Sequence, residues 1–175
     1  MTLHEEILKY LEFDPFDMES CLRTVRNKPA NLRKEGIIRF IHNPDKETQL
    51  AAVKGYGPSI RFIHNPDKDL QLEAVRQNGN YIQYIENPDK EVQLAAVKKD
   101  GWSIRYIRDP DKEVQLEAVK RVAWSIQYIH NPDKEVQLAA IEQSGYDIRV
   151  IAMCPNWKEM EEEIETCRII KDIIE

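Results

Sequence analysis

Apolar and polar residues follow one another along this chain in a pattern that repeats every 22 positions. Within one period, residues 92–97 (Val-Gln-Leu-Ala-Ala-Val) place apolar side chains at helical spacing, which predicts an α-helix of about three turns. Residues 104–107 (Ile-Arg-Tyr-Ile) predict a second helix of one or two turns, of α or 3₁₀ type. Units this short cannot bury a core alone and must stack, so the period predicts an all-α solenoid.

A tetrapeptide marks the start of each period. It reads Asn-Pro-Asp-Lys, with Asp replacing Asn in the fourth copy, at residues 43–46, 65–68, 87–90, 109–112 and 131–134. Asn87 is predicted to be the N-cap of the longer helix, with Pro88 at its first position, where no backbone N–H is needed. Gly101 is predicted to end that helix in the left-handed conformation, and Ser103 to cap the shorter helix.

Two polar rows fall inside the apolar face of the longer helix. They consist of Asp45, Asp67, Asp89, Asp111 and Asp133, and of Gln49, Gln71, Gln93, Gln115 and Gln137. Buried polar groups must be hydrogen-bonded, so the rows are interpreted as structural ladders that join each helix to the backbone of the neighbouring turn. A row of carboxylates also suits a metal site or acid–base chemistry. Since every repeat carries one, the structural interpretation is favoured.

The ends of the chain depart from the repeat, as solenoid caps do. Residues 1–175 are predicted to form a single repeat domain, with an N-terminal cap and degenerate repeat over 1–35 and regular repeats over 36–152. Thr2-Leu3-His4-Glu5 is predicted to open a helix that extends to about Phe13, and 17–27 to form a degraded long helix.

Residues 153–175 are predicted to form a C-terminal capping helix. One face carries the apolar residues Trp157, Met160, Ile164, Cys167, Ile170 and Ile174. The other side is acidic, with glutamates at 159, 161, 162, 163 and 165. The helix is interpreted as a lid over the last repeat of a monomer. Because Ile169 and Ile173 widen the apolar face, a dimer through this helix is the alternative.

Residues 36–151, with their Asn-Pro-Asp-Lys and Val-Gln-Leu-Ala-Ala-Val segments, resemble short helical repeats without assigned function in bacterial and phage proteins. They also look like leucine-rich-variant repeats, which implies alternating α- and 3₁₀ helices in a right-handed superhelix. The aromatic residues at positions 40, 62, 84, 106 and 128 and the glutamine row depart from that second pattern. Neither resemblance implies a catalytic motif or a cofactor.

Composition narrows the classes of partner. The chain has 31 acidic and 25 basic residues and a net charge of −6, which argues against general nucleic-acid binding. Its three cysteines have no Cys-x-x-Cys spacing, which favours a reducing cytoplasm. The first residues do not resemble a signal peptide and no apolar run reaches membrane-spanning length, so no membrane partner is expected.

Candidate binding residues lie where the repeats differ. The short helices carry an exposed stripe with a basic bias, and aromatic residues recur just before it. The predicted partner-binding residues are Trp102, Trp124, Tyr146, Arg105, Arg108, Arg149, Arg61 and His64. Aromatic rings beside arginines suit a peptide, a protein surface or stacked bases. The alternative is that the rings cover the backbone of the neighbouring repeat.

No residue pattern indicates catalysis, a metal or a cofactor. His42 and His64 occupy equivalent positions in adjacent repeats, so they should lie about 10 Å apart, too far to share one zinc ion. Phosphate-binding loops and nucleophile motifs do not occur. An enzyme is therefore the weakest of three functional classes.

The sequence favours a non-enzymatic protein–protein interaction solenoid. Because similar repeats occur in phages, a phage-type inhibitor of a host defence complex is a concrete version of this hypothesis. Nucleic-acid or nucleotide binding by the arginine and aromatic stripe is the alternative.

Overall fold

The computed structural model describes residues 17–27 and 37–174, and every regular element in this part of the chain is a helix. The chain divides into two compact units, unit 1 (residues 1–88) and unit 2 (residues 89–175). The predicted helix from Thr2 to Phe13 lies outside the described residues. No helix within the described ranges is both long enough and apolar enough to cross a membrane.

Long α-helices and short 3₁₀ helices alternate through the regular repeats. The α-helices are α1 Met18–Asn27, α2 Lys46–Gly55, α3 Lys68–Gln77, α4 Lys90–Lys99, α5 Lys112–Arg121, α6 Lys134–Gln143, α7 Ile148–Met153 and α8 Glu161–Ile174. The 3₁₀ helices are η1 Ile37–Phe40, η2 Gly57–Phe62, η3 Gly79–Tyr84, η4 Gly101–Tyr106, η5 Ala123–Tyr128 and η6 Trp157–Met160.

The N-cap of each regular α-helix is the aspartate of the tetrapeptide, not its first residue. Asp89 is extended, and its side chain accepts a hydrogen bond from the N–H of Val92 at 3.0 Å. Asn87 has a φ of 48°, and its equivalents in the other repeats share this left-handed conformation. Asn and Asp adopt that region more readily than most residues. The prediction that Asn87 caps the helix is therefore wrong, because this residue turns the chain before the cap.

The short helix begins earlier than predicted. Asp100 ends α4, and its side chain accepts a hydrogen bond from the N–H two residues on, so η4 starts at Gly101. Among the described glycines only Gly145 has a positive φ. A Cβ at Gly101 would lie 2.8 Å from the carbonyl oxygen of Ala118, so glycine permits a close approach between repeats. The predictions of a left-handed Gly101 and a capping Ser103 are both wrong.

Unit 1 contains two packed rows of helices. The long helices α1, α2 and α3 pack side by side, and η1, η2 and η3 form a second row against them. Ile38, Ile60 and Ile82 are buried from the short helices, and Val53 and Val75 from the long ones. The core therefore runs between the rows.

Unit 2 has the same arrangement and ends in the helices α7, η6 and α8. Helices α4, α5 and α6 pack side by side, η4 packs on η5, and α7 packs against α6 and η5. Met160 and Ile164, from η6 and α8, are buried. The predicted all-α fold of helix and short-helix repeats, packed neighbour to neighbour, is confirmed.

Candidate functional site

The aspartate row caps the long helices and reaches the preceding repeat through lysines. Each aspartate accepts a hydrogen bond from the backbone N–H three residues on, at 2.8–3.1 Å. Lys46 Nζ lies 2.8 Å from Asp67 Oδ2, and Lys112 Nζ lies 3.1 Å from Asp133 Oδ2. The carboxylates are exposed, contrary to the prediction that they lie within the apolar face, because a cap lies at the end of its helix.

These contacts favour the ionised carboxylates. The hydrogen bond from Lys46 is the largest cause of a lowered pKa at Asp67. At Asp111 and Asp133 the capped backbone N–H contributes most to lowering the pKa, and the paired lysine also lowers it. Capping and ion pairing account for both oxygens of these aspartates, which supports the structural interpretation of the row.

The glutamine row bonds chiefly within its own repeat. The Nε2 atoms of four glutamines (Gln49, Gln71, Gln115 and Gln137) donate to the carbonyl oxygen of the proline five residues earlier, at 2.7–2.8 Å. This bond fixes the turn that precedes the helix instead of bridging two repeats. Gln137 differs because it is fully buried and its Oε1 also accepts from the N–H of Asn156, at 3.2 Å.

The side chains of the stripe on the short helices are exposed. Their basic groups differ from those of the long helices in how they pair with carboxylates. Lysines on the long helices pair with carboxylates of a following segment, as Lys46, Lys90, Lys112 and Lys134 show. By contrast, four arginines on or directly after the short helices form no ion pair with any described residue. They are Arg39, Arg61, Arg105 and Arg108.

In unit 1, two of these arginines share one aromatic ring. Arg61 Cζ lies 4.4 Å from the centroid of Phe62, and Arg39 Cζ lies 6.0 Å from the same centroid. Arg61, Phe62 and His64 line an open groove together with Tyr84 and Glu86 of the following repeat. The predicted residues Arg61 and His64 thus lie together and are exposed.

In unit 2, aromatic residues connect successive repeats. The rings of Trp102 and Tyr128 meet edge to face, with centroids 6.0 Å apart. Arg149 Cζ lies 4.9 Å from the Trp124 ring. The tryptophans are half-buried, whereas Tyr128 is 44% exposed and Tyr106 38%. The tryptophans thus have a packing role, and the two tyrosines have the larger exposed fractions.

The last predicted aromatic, Tyr146, differs in conformation from the two tryptophans. Trp102 and Trp124 lie inside 3₁₀ helices, whereas Tyr146 has a φ of 63° and follows the left-handed Gly145. Its N–H donates to the carbonyl oxygen of Ile141, which closes the end of α6. Tyr146 therefore does not occupy the same structural position as the two tryptophans.

Arg149 is held by its own segment. Its guanidinium donates twice to the carboxylate of Asp147, at 2.7 and 3.1 Å. This hydrogen bonding lowers the pKa of Asp147 and raises that of Arg149. Arg149 is therefore oriented over Trp124 but partly neutralised, while Arg105 stacks over Tyr106 at 4.7 Å with no such partner among the described residues.

Sequence reasoning missed the most exposed rings. Tyr106 and Tyr128, together with Arg39 and Phe62, were not among the candidate residues. For the three aromatic residues, the sequence signal was their recurrence at one position of every regular repeat. A recurring apolar residue suggests core packing, yet in 3₁₀ helices this position lies at the boundary with solvent.

The cysteines are buried thiols in the described region. Cys21 and Cys154 are buried, and burial raises the pKa of Cys154 to about 11, which keeps it protonated. No group of three or more His, Cys, Asp and Glu residues in the described ranges is arranged to hold a metal ion. The exposed stripe supplies guanidinium N–H groups, aromatic faces and imidazoles.

Comparison with known proteins identifies one related family over part of the chain. Residues 67–110 match a family model described as a domain of unknown function (DUF4116). The matched segment covers about a quarter of the chain and includes α3, η3, α4 and η4. No curated protein and no solved structure matches the chain.

Proposed function

We propose that this chain is a non-enzymatic protein-binding module and that unit 2 supplies a binding surface for another protein. The unit 2 surface is defined by Trp102, Arg105, Tyr106, Arg108, Trp124, Tyr128 and Arg149. Arginine and the aromatic residues are the types that contribute most to protein interfaces.

One observation carries the proposal. Arg105 and Arg108 are exposed without an ion pair among the described residues, and Arg105 lies over the exposed ring of Tyr106. The ring of Tyr128 is exposed as well. In an acidic chain, carboxylates were available to neutralise the two arginines, as they neutralise the lysines of the long helices. An acidic group of a partner displaces only water when it binds these arginines. It then supplies the ion pairs that the described residues do not provide.

The two half-buried tryptophans pack against other residues of this surface. Trp102 packs on Tyr128 and Trp124 packs under Arg149, so the contact residues are held in place before a partner arrives. A surface that is ordered in advance loses less entropy on binding. Cysteines without Cys-x-x-Cys spacing, of which Cys21 and Cys154 are buried, fit a reducing, cytoplasmic setting. Inhibition of a host defence complex, suggested by the resemblance to phage repeats, is the specific version of this proposal.

Nucleic-acid or nucleotide binding is the second candidate, favoured by the aromatic rings beside arginines. The exposed Asp109 follows Arg108 directly, and Asp147 pairs with Arg149. These carboxylates repel a continuous phosphate backbone, so a protein partner fits the charge pattern better.

Site-specific photocrosslinking tests the proposal. A benzophenone amino acid replaces Tyr128, and in a matched control replaces Lys120, which is exposed on α5 of the same unit. After irradiation in the native cell, mass spectrometry should find one protein enriched at position 128 and not at 120. Equal products from the two positions, or nuclease-sensitive products at 128, would contradict it.

A further inference from the structure

We infer that unit 1 carries a separate site for an acidic peptide, formed by Arg39, Phe62 and Arg61. This site shares no residue with the unit 2 surface, so it stands or fails independently of the proposed function.

The guanidinium groups of Arg39 and Arg61 both lie near the ring of Phe62. Since Arg61 Cζ and Arg39 Cζ lie 4.4 and 6.0 Å from the Phe62 centroid, the two guanidiniums are no more than about 10 Å apart. Arg39 also lies over its neighbour Phe40, at 4.4 Å. Stacking orients each planar guanidinium and leaves its edge N–H groups free to bind a carboxylate with two hydrogen bonds.

Charge indicates the class of ligand. Neither arginine pairs with a carboxylate among the described residues, although Arg26 and Lys46 in the same unit both do. The groove beside Phe62 is lined by one exposed acid, Glu86. A continuous polyphosphate backbone is repelled by that carboxylate, whereas a peptide with separate acidic side chains avoids it. An acidic peptide therefore fits better than a nucleic acid.

The upper limit on the guanidinium separation admits an extended peptide. A polyproline II helix has three residues per turn and rises about 9 Å per turn, so acidic residues at every third position lie on one edge at that separation. This separation falls within the upper limit set by the shared ring. Half-buried Phe62 and Tyr84 provide aromatic faces of the kind that receive such extended segments.

Fluorescence anisotropy with defined probes tests the site on the full chain. The probe is a labelled peptide of four Glu-Pro-Pro repeats; the controls are the matching Gln-Pro-Pro peptide and a twelve-nucleotide oligo(dT). We expect the glutamate peptide to bind at least tenfold more tightly than either control. Arg39→Ala and Arg61→Ala should each weaken it by fivefold or more, and Arg76→Ala, a matched exposed arginine on α3, by less than twofold.

Arg61→Lys separates charge from stacking, since lysine keeps the cation but lacks the planar fork. It should lose affinity while its melting curve stays that of the wild type, which also covers the case in which an alanine variant fails to fold. Equal weakening by Arg76→Ala, equal binding of the glutamine peptide, full affinity in Arg61→Lys, or tighter Arg61-dependent binding of oligo(dT) would each overturn the inference.

Discussion

Gln137 connects the last regular repeat to the C-terminal cap through Asn156. Its Oε1 accepts the N–H of Asn156 at 3.2 Å, while its Nε2 donates to the carbonyl oxygen of Pro132 at 2.7 Å. The side chain is fully buried, and Cys154, beside Asn156, is buried too. One amide thus satisfies backbone groups on both sides of the junction.

Removal of this amide should destabilise the protein. Gln137→Ala leaves the carbonyl oxygen of the buried Pro132 and the N–H of Asn156 without their partner, at a cost of about 1–3 kcal/mol. Gln71→Ala, at a half-buried position with a bond of 2.8 Å to Pro66, is the matched comparison and should cost less. Urea unfolding of both variants measures the difference. Equal losses would show that Asn156 adds nothing to the role of Gln137.

Two glycines should respond oppositely to alanine. Gly101→Ala places a Cβ 2.8 Å from the carbonyl oxygen of Ala118, a backbone atom that cannot move freely. Overpacking of this kind costs about 1–3 kcal/mol. Gly55, at the end of α2, has no atom within 4 Å of its added Cβ. Gly55→Ala should therefore be neutral or stabilising by up to about 1 kcal/mol. Thermal unfolding that ranks the two in reverse order would contradict the packing.

Stability should fall in acid because of the capping aspartates. Asp67, Asp111 and Asp133 have folded-state pKa values below the ordinary 3.8. As the pH drops through 3.8, the unfolded chain takes up protons first, so the equilibrium shifts toward unfolding; the contribution is complete above that value. The melting temperature should therefore decline below about pH 4.

A double variant isolates this effect. In Asp111→Asn with Asp133→Asn, the asparagines still cap their helices but do not titrate. The decline in acid should become shallower than in the wild type. An unchanged pH profile would mean that these two carboxylates are not its source.

Deletion of residues 157–175 tests the C-terminal cap as a lid. Met160 and Ile164 are buried at this end of unit 2, so their loss exposes apolar surface. Light scattering should show association of the truncated protein, and hydrogen exchange should accelerate first in α6 and α7. A truncated chain that stays monomeric with an unchanged melting temperature would instead make this segment an appendage.

Sequence periodicity predicted the succession of long and short helices because each repeat must bury the same face. It could not place the caps, since Asn87 and Asp89 are both good capping residues by type. Only the left-handed φ of Asn87 separates the two roles. Glycine posed a similar ambiguity: Gly101 permits a close approach, and Gly145 a left-handed turn.

The candidate site was predicted in outline but not in its contacts. Arg61, His64 and Arg105 are exposed as expected from their polarity. The approach of Arg39 to Phe62 depends on the rotation between successive repeats, which a one-dimensional pattern does not contain. The exposure of Tyr106 and Tyr128 is a consequence of the same geometry.

Quantitative recovery of the partner tests whether the unit 2 surface binds another protein. Isotope-labelled cells express the tagged wild type, Arg105→Glu, Tyr128→Ala, or the control Lys98→Glu, an exposed charge reversal on α4 of the same unit. We predict that Arg105→Glu and Tyr128→Ala each reduce recovery of the crosslinked partner more than tenfold. Both variants should keep wild-type helical content and melting temperature. Lys98→Glu should reduce the recovery less than twofold. Unchanged recovery with the first two variants, or an equal loss with Lys98→Glu, would contradict the proposal.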